Sequence, residues 1–383
     1  AEQVVLDVVQ SAFDSAGQRC SALRILCLQD EVAERVLGML KGAMRELTLG
    51  NPDRLATDVG PVIDAEARDG IDKHIAGMRS KGFAVEQLAI PADCAHGTFV
   101  PPTLIEINAV SDVEREVFGP VLHVVRYRRE ALDKLIEDIN ATGYGLTFGV
   151  HSRIDETIER MLERVKVGNM YVNRNVIGAV VGVQPFGGER LSGTGPKAGG
   201  PLYLTRLLAV QPDVRPAGLA PENEAFATLD AYAGWLREQG HAEAAAQCQR
   251  LRQVSGLGAV AVLPGPTGER NTYALEPRGP VLCIAATELG AQMQLGAALA
   301  TGNPALFLQG GAGRDLQARL PAGLARHVTM VADDAVESHA ILGGVLFEGD
   351  GDGLTALSQR LAEREGPIVL AQGLGSDQIA QGR

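Results

Sequence analysis

The chain has 383 residues, 45% hydrophobic and 21% charged, which is ordinary for a globular protein and long enough for two or three domains with large cores. Its 35 Lys and Arg against 47 Asp and Glu leave a net charge of −12 with no basic cluster, which argues against a nucleic-acid-binding surface. Five scattered cysteines without a CxxC pair argue for a reducing compartment rather than a disulfide framework or zinc site. The seven histidines show no metal-ligand spacing, and no apolar run reaches the ~18 residues that span a bilayer.

Residues 3–13 carry Val4, Val5, Val8, Val9 and Ala12 at helical spacing, so the chain drops straight into a helix, without an initiator Met. We expect a fragment of a longer protein, cut inside a domain; the end at Gln381-Gly382-Arg383 also reads as cut short. Next comes Gly17-Gln18-Arg19-Cys20-Ser21, a turn between this helix and an apolar strand at 22–28. A thiol there can face a cleft. A thiolate is a strong nucleophile, Arg19 is an adjacent cation, and backbone N–H groups at a turn can hold an oxyanion. Most unpaired cysteines are small buried hydrophobes, and Cys27 and Cys283, inside apolar runs, fit that description; Cys20, flanked by polar residues, does not.

Asp30 is a candidate cap for a helix over 31–49, stopped by Gly50-Asn51-Pro52. A helix at 65–82, a strand at 84–88, an irregular stretch to 102 and a strand at 103–107 follow. Taken alone, Glu116 before Val117-Phe118-Gly119-Pro120 is a solvated turn carboxylate. Helices at 131–140 and 154–165 alternate with strands at 147–152 and 168–173, and the second strand runs into a loop of small residues over 174–185. Strands alternating with helices define an α/β domain with a largely parallel sheet. Residues 203–211 read as an edge strand. Pro212, Pro216 and Pro221 mark a linker, and 222–251 holds one or two helices rich in Ala, Gln and Glu. A strand at 277–284, a helix at 289–300 and a strand at 305–308 then form a βαβ unit.

Four motifs carry a resemblance. Phe13 with Gly17 to Ser21, the Glu116 to Leu122 run, Asn140 to Gly149, and Pro185-Phe186-Gly187-Gly188 resemble, in order, the signatures of the aldehyde dehydrogenase superfamily. Pro196 to Leu204 and the chain beyond resemble the C-terminal part of the proline utilization A family, bifunctional bacterial enzymes that oxidise proline to glutamate. The resemblance implies an N-terminally truncated α/β aldehyde dehydrogenase catalytic domain over 1–211, with a dimer-pairing strand near its end. A linker with helices over 212–255 and a degenerate Rossmann-like domain over 256–383 follow. It implies NAD-dependent oxidation of glutamate γ-semialdehyde, the open form of pyrroline-5-carboxylate, with Cys20 as nucleophile. By the same resemblance, Glu116 holds the nicotinamide ribose and Phe118 packs near the ring. Phe13, Ser21, Gly178, Ala179 and Phe186 bind substrate, the last three because Gly178 and Ala179 lie eight and seven residues before Phe186. No metal is implied. FAD would belong to a proline dehydrogenase part outside this chain, and the oxyanion Asn and general-base Glu would lie upstream of residue 1.

Further implications are a homodimer, a small-molecule substrate and a bacterial cytoplasmic location, with peripheral association at the inner membrane left open. The last domain departs from an active cofactor domain. Ala286-Thr287-Glu288 stands where the oxyanion Asn belongs, Ala371-Gln372-Gly373 where the base motif belongs, and the acidic run from Glu348 to Gly353 where phosphate-binding glycines belong. It therefore reads as a non-catalytic module. Arg190 stands where close relatives usually have Gly, and is strained if that position needs φ > 0. Two readings compete with the dehydrogenase: an aldehyde dehydrogenase for another acidic semialdehyde, and an inactive structural fragment.

Overall fold

The structure is a computed structural model that describes residues 1–209, 218–221 and 223–380. The chain forms two compact units: 1–179 with 187–193, and 180–186 with 194–383. The two compact units thus part ahead of the 211/212 boundary read from the sequence, since the described residues 180–186 and 194–209 group with the second unit.

In the first unit α1 (Glu2–Phe13) enters the core with Val5, Val8, Ala12 and Phe13. β1 (Ile25–Gln29), α2 (Asp30–Arg45), α3 (Ala65–Ser80), β2 (Ala84–Gln87), β3 (Thr103–Ile107) and β4 (Val121–Tyr127) follow in order. The sheet order is β1-β4-β3-β2, parallel except for the antiparallel edge strand β2. Gln29, not Asp30, takes the N-cap position of α2. Asp30 is the first helical residue, where its charge suits the positive end of the helix dipole. Asp64 caps α3 by accepting the Ala67 N–H at 2.8 Å. β4 is absent from the sequence expectations, yet it is central, with its first five residues buried on both faces. Burying each of its large aliphatic side chains contributes roughly 1.5–3 kcal/mol. α4 (Leu132–Ala141), β5 (Thr147–Val150), α5 (Asp155–Arg164) and β6 (Asn169–Val172) complete the unit. β5 and β6 pair in parallel over a small core of Ile136, Val150, Met161 and Val165.

Residues 203–209 do not form the expected strand. Leu204–Leu207 is a short 3₁₀ helix, and residues 210 and 211 lie outside the described residues, as do Pro212 and Pro216. In the second unit the expected helical stretch is two helices, α6 (Ala227–Glu238) and α7 (Ala242–Val254), split at Gly240 with φ +83°. They are core elements: Leu229, Tyr232, Ala233, Leu236, Ala244, Ala245 and Cys248 pack with the helix that follows the first Rossmann strand. A hairpin of β7 (Val260–Leu263) and β8 (Asn271–Ala274) precedes that unit. Then come β9 (Val281–Ile284), α8 (Glu288–Ala300), β10 (Ala305–Leu308), α9 (Gly313–Arg319), α10 (Ala322–Ala325), β11 (Val328–Val331), α11 (Ala335–Ser338), β12 (Gly344–Glu348), α12 (Gly351–Ala362), β13 (Ala371–Leu374) and α13 (Ser376–Ala380). The five strands are all parallel in the order β11-β10-β9-β12-β13, which is the doubly wound order with its switch point between β9 and β12.

Candidate active site

The backbone before Cys20 makes a left-handed turn. Ser15, Ala16 and Gly17 have φ of 55°, 52° and 65°, a conformation only glycine adopts without cost. Gly17 is obligatory for a second reason: a Cβ there would lie 2.1 Å from the Gly119 carbonyl oxygen. The cysteine turn and the Glu116–Gly119 loop thus touch backbone to backbone. Gln18 fastens the turn on its other side, donating to Pro61 O at 3.2 Å and accepting from Ile63 N at 2.8 Å. The Ala22 N–H closes a turn onto Arg19 O at 3.0 Å, and Cys20 sits at its exposed tip. The other cysteines are half-buried or buried. Desolvation pushes the Cys27 and Cys248 thiols up to about 12 and raises those of Cys94 and Cys283.

The cation at the turn is not the one adjacent in sequence. Arg19 is exposed and donates to Ser15 Oγ at 3.0 Å. Arg24, with its side chain only 14% exposed, reaches back instead. Its Nη1 donates to Gly17 O at 2.7 Å and Gly119 O at 3.2 Å, and its Nη2 to Arg19 O at 3.1 Å. Nε and Nη2 both lie 3.0 Å from Glu116 Oε1, and the guanidinium carbon stands 4.9 Å from the Phe118 ring centre. Burial lowers the Arg24 pKa, while the charges of Glu116 and Cys20 act to raise it. Sequence reading passed over Arg24 because its partners Glu116 and Gly119 lie 92 and 95 residues away.

Cys20, Glu116 and Phe118 are therefore gathered around one guanidinium. Glu116 gives Arg24 one oxygen only, and Oε2 has no hydrogen-bond partner among the described residues. That free carboxylate oxygen beside a 46% exposed Phe118 ring fits the ribose and ring of a nicotinamide coenzyme. The proposed substrate residues are less uniform. Ser21 is buried directly behind Cys20, and Phe13 is 1% exposed within the core, lining no open surface. Gly178 is exposed at φ +73°, with nothing within 4 Å of where a Cβ would stand. Ala179 ends the main stretch of the first unit, whereas Phe186 belongs to the second, bridged to Ala198.

Arg190 does sit at φ 55°. Its guanidinium donates to the carbonyls of Asn140 at 2.6 Å, Tyr144 at 3.0 Å and Lys166 at 3.2 Å. Those bonds offset the left-handed backbone that a glycine would take for free.

The second unit's switch point is filled by its own side chain. Glu348, 3% exposed at the end of β12, accepts from Ala286 N at 2.8 Å, Thr287 N at 2.9 Å and Thr287 Oγ1 at 2.8 Å. Burial alone would raise its carboxyl pKa. The hydrogen bonds from Thr287, Ser376 and Ala286 outweigh that and hold it below the ordinary value. A carboxylate thus occupies the place where this topology offers helix N–H groups to a phosphate.

Residues 1–211 match the model of the aldehyde dehydrogenase family, and the chain belongs to that family. Its relatives narrow the comparison. The chain is 52% identical to the bifunctional protein PutA of Klebsiella aerogenes over 97% of its own length, which is 29% of that protein, and 49% identical to that of Rhizobium meliloti over 100% of its length and 31% of the relative. A 1-pyrroline-5-carboxylate dehydrogenase of Bacillus cytotoxicus is 38% identical over 53% of the chain and 39% of its own length. A crystal structure of a Bradyrhizobium japonicum proline utilization A mutant is 59% identical, with a TM-score of 0.51, covering 53% of this chain and 20% of that one. The chain thus spans less than a third of the bifunctional relatives it matches.

Proposed function

We propose that this chain carries the nucleophile of an oxidoreductase that converts L-glutamate γ-semialdehyde, in equilibrium with pyrroline-5-carboxylate, to glutamate, as the second step of proline catabolism in a bifunctional protein. The single observation that carries the reading is the exposed Cys20 thiol on a turn held by Arg24 against Glu116 and Phe118. The similarity to pyrroline-5-carboxylate dehydrogenases and to bifunctional PutA proteins supports the substrate assignment.

Cys20 Sγ attacks the aldehyde carbon, forming a thiohemiacetal, and the Cys20 backbone N–H is assigned to stabilise the oxygen that gains charge. Glu116 would hold the ribose hydroxyls of NAD on its free oxygen and Phe118 would offer an apolar face to the ring; the coenzyme would supply the acceptor for the hydride lost from the adduct carbon as the thioester forms. Water then hydrolyses the thioester, releasing glutamate and the free thiol. Ser21, Gly178 and Ala179 are assigned to the α-carboxylate end of the substrate, and Phe13 supports the turn from the core. The second unit, its switch point closed by Glu348, acts as a structural module.

The test is pyrroline-5-carboxylate-dependent NADH formation by this chain fused to the upstream part of the Klebsiella aerogenes relative, beside its Cys20→Ala variant. Turnover that falls by more than about a thousandfold in the variant supports the assignment. Turnover within tenfold of wild type contradicts it, and activity only with another acidic semialdehyde would reassign the substrate.

A further inference from the structure

Arg24 is placed to do more than hold the loops together. One guanidinium, largely out of solvent, holds two partners: Glu116 Oε1, met by Nε and Nη2 at 3.0 Å, and the cysteine turn, met by Nη2 at the Arg19 carbonyl at 3.1 Å. That carbonyl belongs to the peptide linking Arg19 to Cys20. Nη2 is thus shared between a carboxylate and the carbonyl just before Cys20, which couples them: whatever weakens its bond to one frees it for the other. The remaining donors fix the arrangement, because Nη1 bridges Gly17 O and Gly119 O and so sets the distance between the two loops.

We propose that Arg24 is a positioning residue that couples the state of the Glu116 carboxylate to the reactivity of Cys20. On the dehydrogenase reading, on which only this clause rests, hydroxyls bound by Glu116 draw the carboxylate from Arg24 and leave Nη2 to the Arg19 carbonyl beside Cys20. A lysine would keep the charge but lose the fork that reaches four acceptors at once, so it does not substitute.

The experiment needs neither coenzyme nor turnover. Iodoacetamide alkylation of Cys20 is followed by peptide mass spectrometry at pH 7 in the intact chain, for wild type, Glu116→Gln, Arg24→Gln, Arg24→Lys and the Arg24→Gln/Glu116→Gln double variant. Removing the competing carboxylate raises the wild-type rate about threefold, and removing Arg24 lowers it about tenfold. The Glu116→Gln effect vanishes in the Arg24→Gln background, and Arg24→Lys does not restore it. Equal rates in wild type and Glu116→Gln overturn the proposal, as does an unchanged Glu116→Gln effect without Arg24. Circular dichroism reports whether each variant folds. If Arg24→Gln does not, the half-exposed Glu116→Gln variant still decides, because it leaves Arg24 in place. Failure of dehydrogenase turnover would sink the proposed function and leave these rates untouched.

Discussion

Lowering the pH will destabilise the first unit before the second, through a histidine pair under Arg24. His123, fully buried in β4, lies with Nε2 2.9 Å from Nε2 of His74 on α3 and with Nδ1 3.1 Å from the Arg24 carbonyl. A carbonyl only accepts, so Nδ1 carries the proton, His123 Nε2 accepts, and His74 Nε2 donates. Both rings are neutral in this arrangement. Burial, the largest cause, with the charges of His74 and Arg24 also acting, pushes His123 down to about 4 from 6.5; burial likewise lowers His74, whose nearby charges are Lys81 and Arg115. The unfolded chain then binds more protons than the folded one between these values, so stability is full above about pH 6.5 and falls as the pH drops. The whole interval is worth about 3 kcal/mol at 1.36 kcal/mol per unit, of which about 2 kcal/mol is gone by pH 5. The only tryptophan, Trp235, lies in α6 of the second unit, so its fluorescence would miss the effect. Amide hydrogen exchange of β1 and β4 peptides, corrected for intrinsic rates, reads the first unit directly. Protection in β4 that stays flat from pH 7 to 5, or that falls equally in a folded His123→Phe variant, would refute the reasoning.

Other substitutions test the same structure. Gly17→Ala places a methyl 2.1 Å from a carbonyl oxygen at φ +65° and should cost the first unit about 3 kcal/mol, read by the same exchange experiment. Arg190→Gly removes the backbone strain but also three carbonyl hydrogen bonds. We expect a net loss of about 1 kcal/mol, and a gain in stability would show that strain dominates. Glu348→Ala leaves the N–H groups of Ala286 and Thr287 without their acceptor and should cost the second unit about 2 kcal/mol in urea unfolding followed by Trp235 fluorescence.

What was legible in the sequence was local. The α1 periodicity, the β3 limits at 103–107 and the exposed cysteine turn all rest on neighbours within a few residues. β4 escaped because its apolar run is interrupted by His123, whose burial is made tolerable by His74, 49 residues away. Arg24 escaped for the same reason, and Arg19 drew attention by adjacency although its side chain bonds Ser15. The Arg190 position was readable, since a motif glycine replaced by Arg flags a left-handed residue; its three carbonyl partners were not. α6 and α7 looked like linker because Ala and Gln make a weak stripe, yet α8 is buried almost all round and needs their cover. The acidic run from Glu348 drew attention in the sequence by its charge alone; that the Glu348 carboxylate fills the switch point depends on Ala286 and Thr287, 62 and 61 residues away, and was not readable.

The central claim is that Cys20 is the nucleophile, and it can be tested on the chain alone. An activated acyl ester such as p-nitrophenyl acetate is added to the folded chain, and peptide mass spectrometry shows which of the five cysteines takes the acyl group. The account predicts that Cys20 is acylated first, and faster than in urea. Reaction at Cys20 no faster than at Cys27, Cys94, Cys248 or Cys283, or no faster than in the unfolded chain, would contradict it.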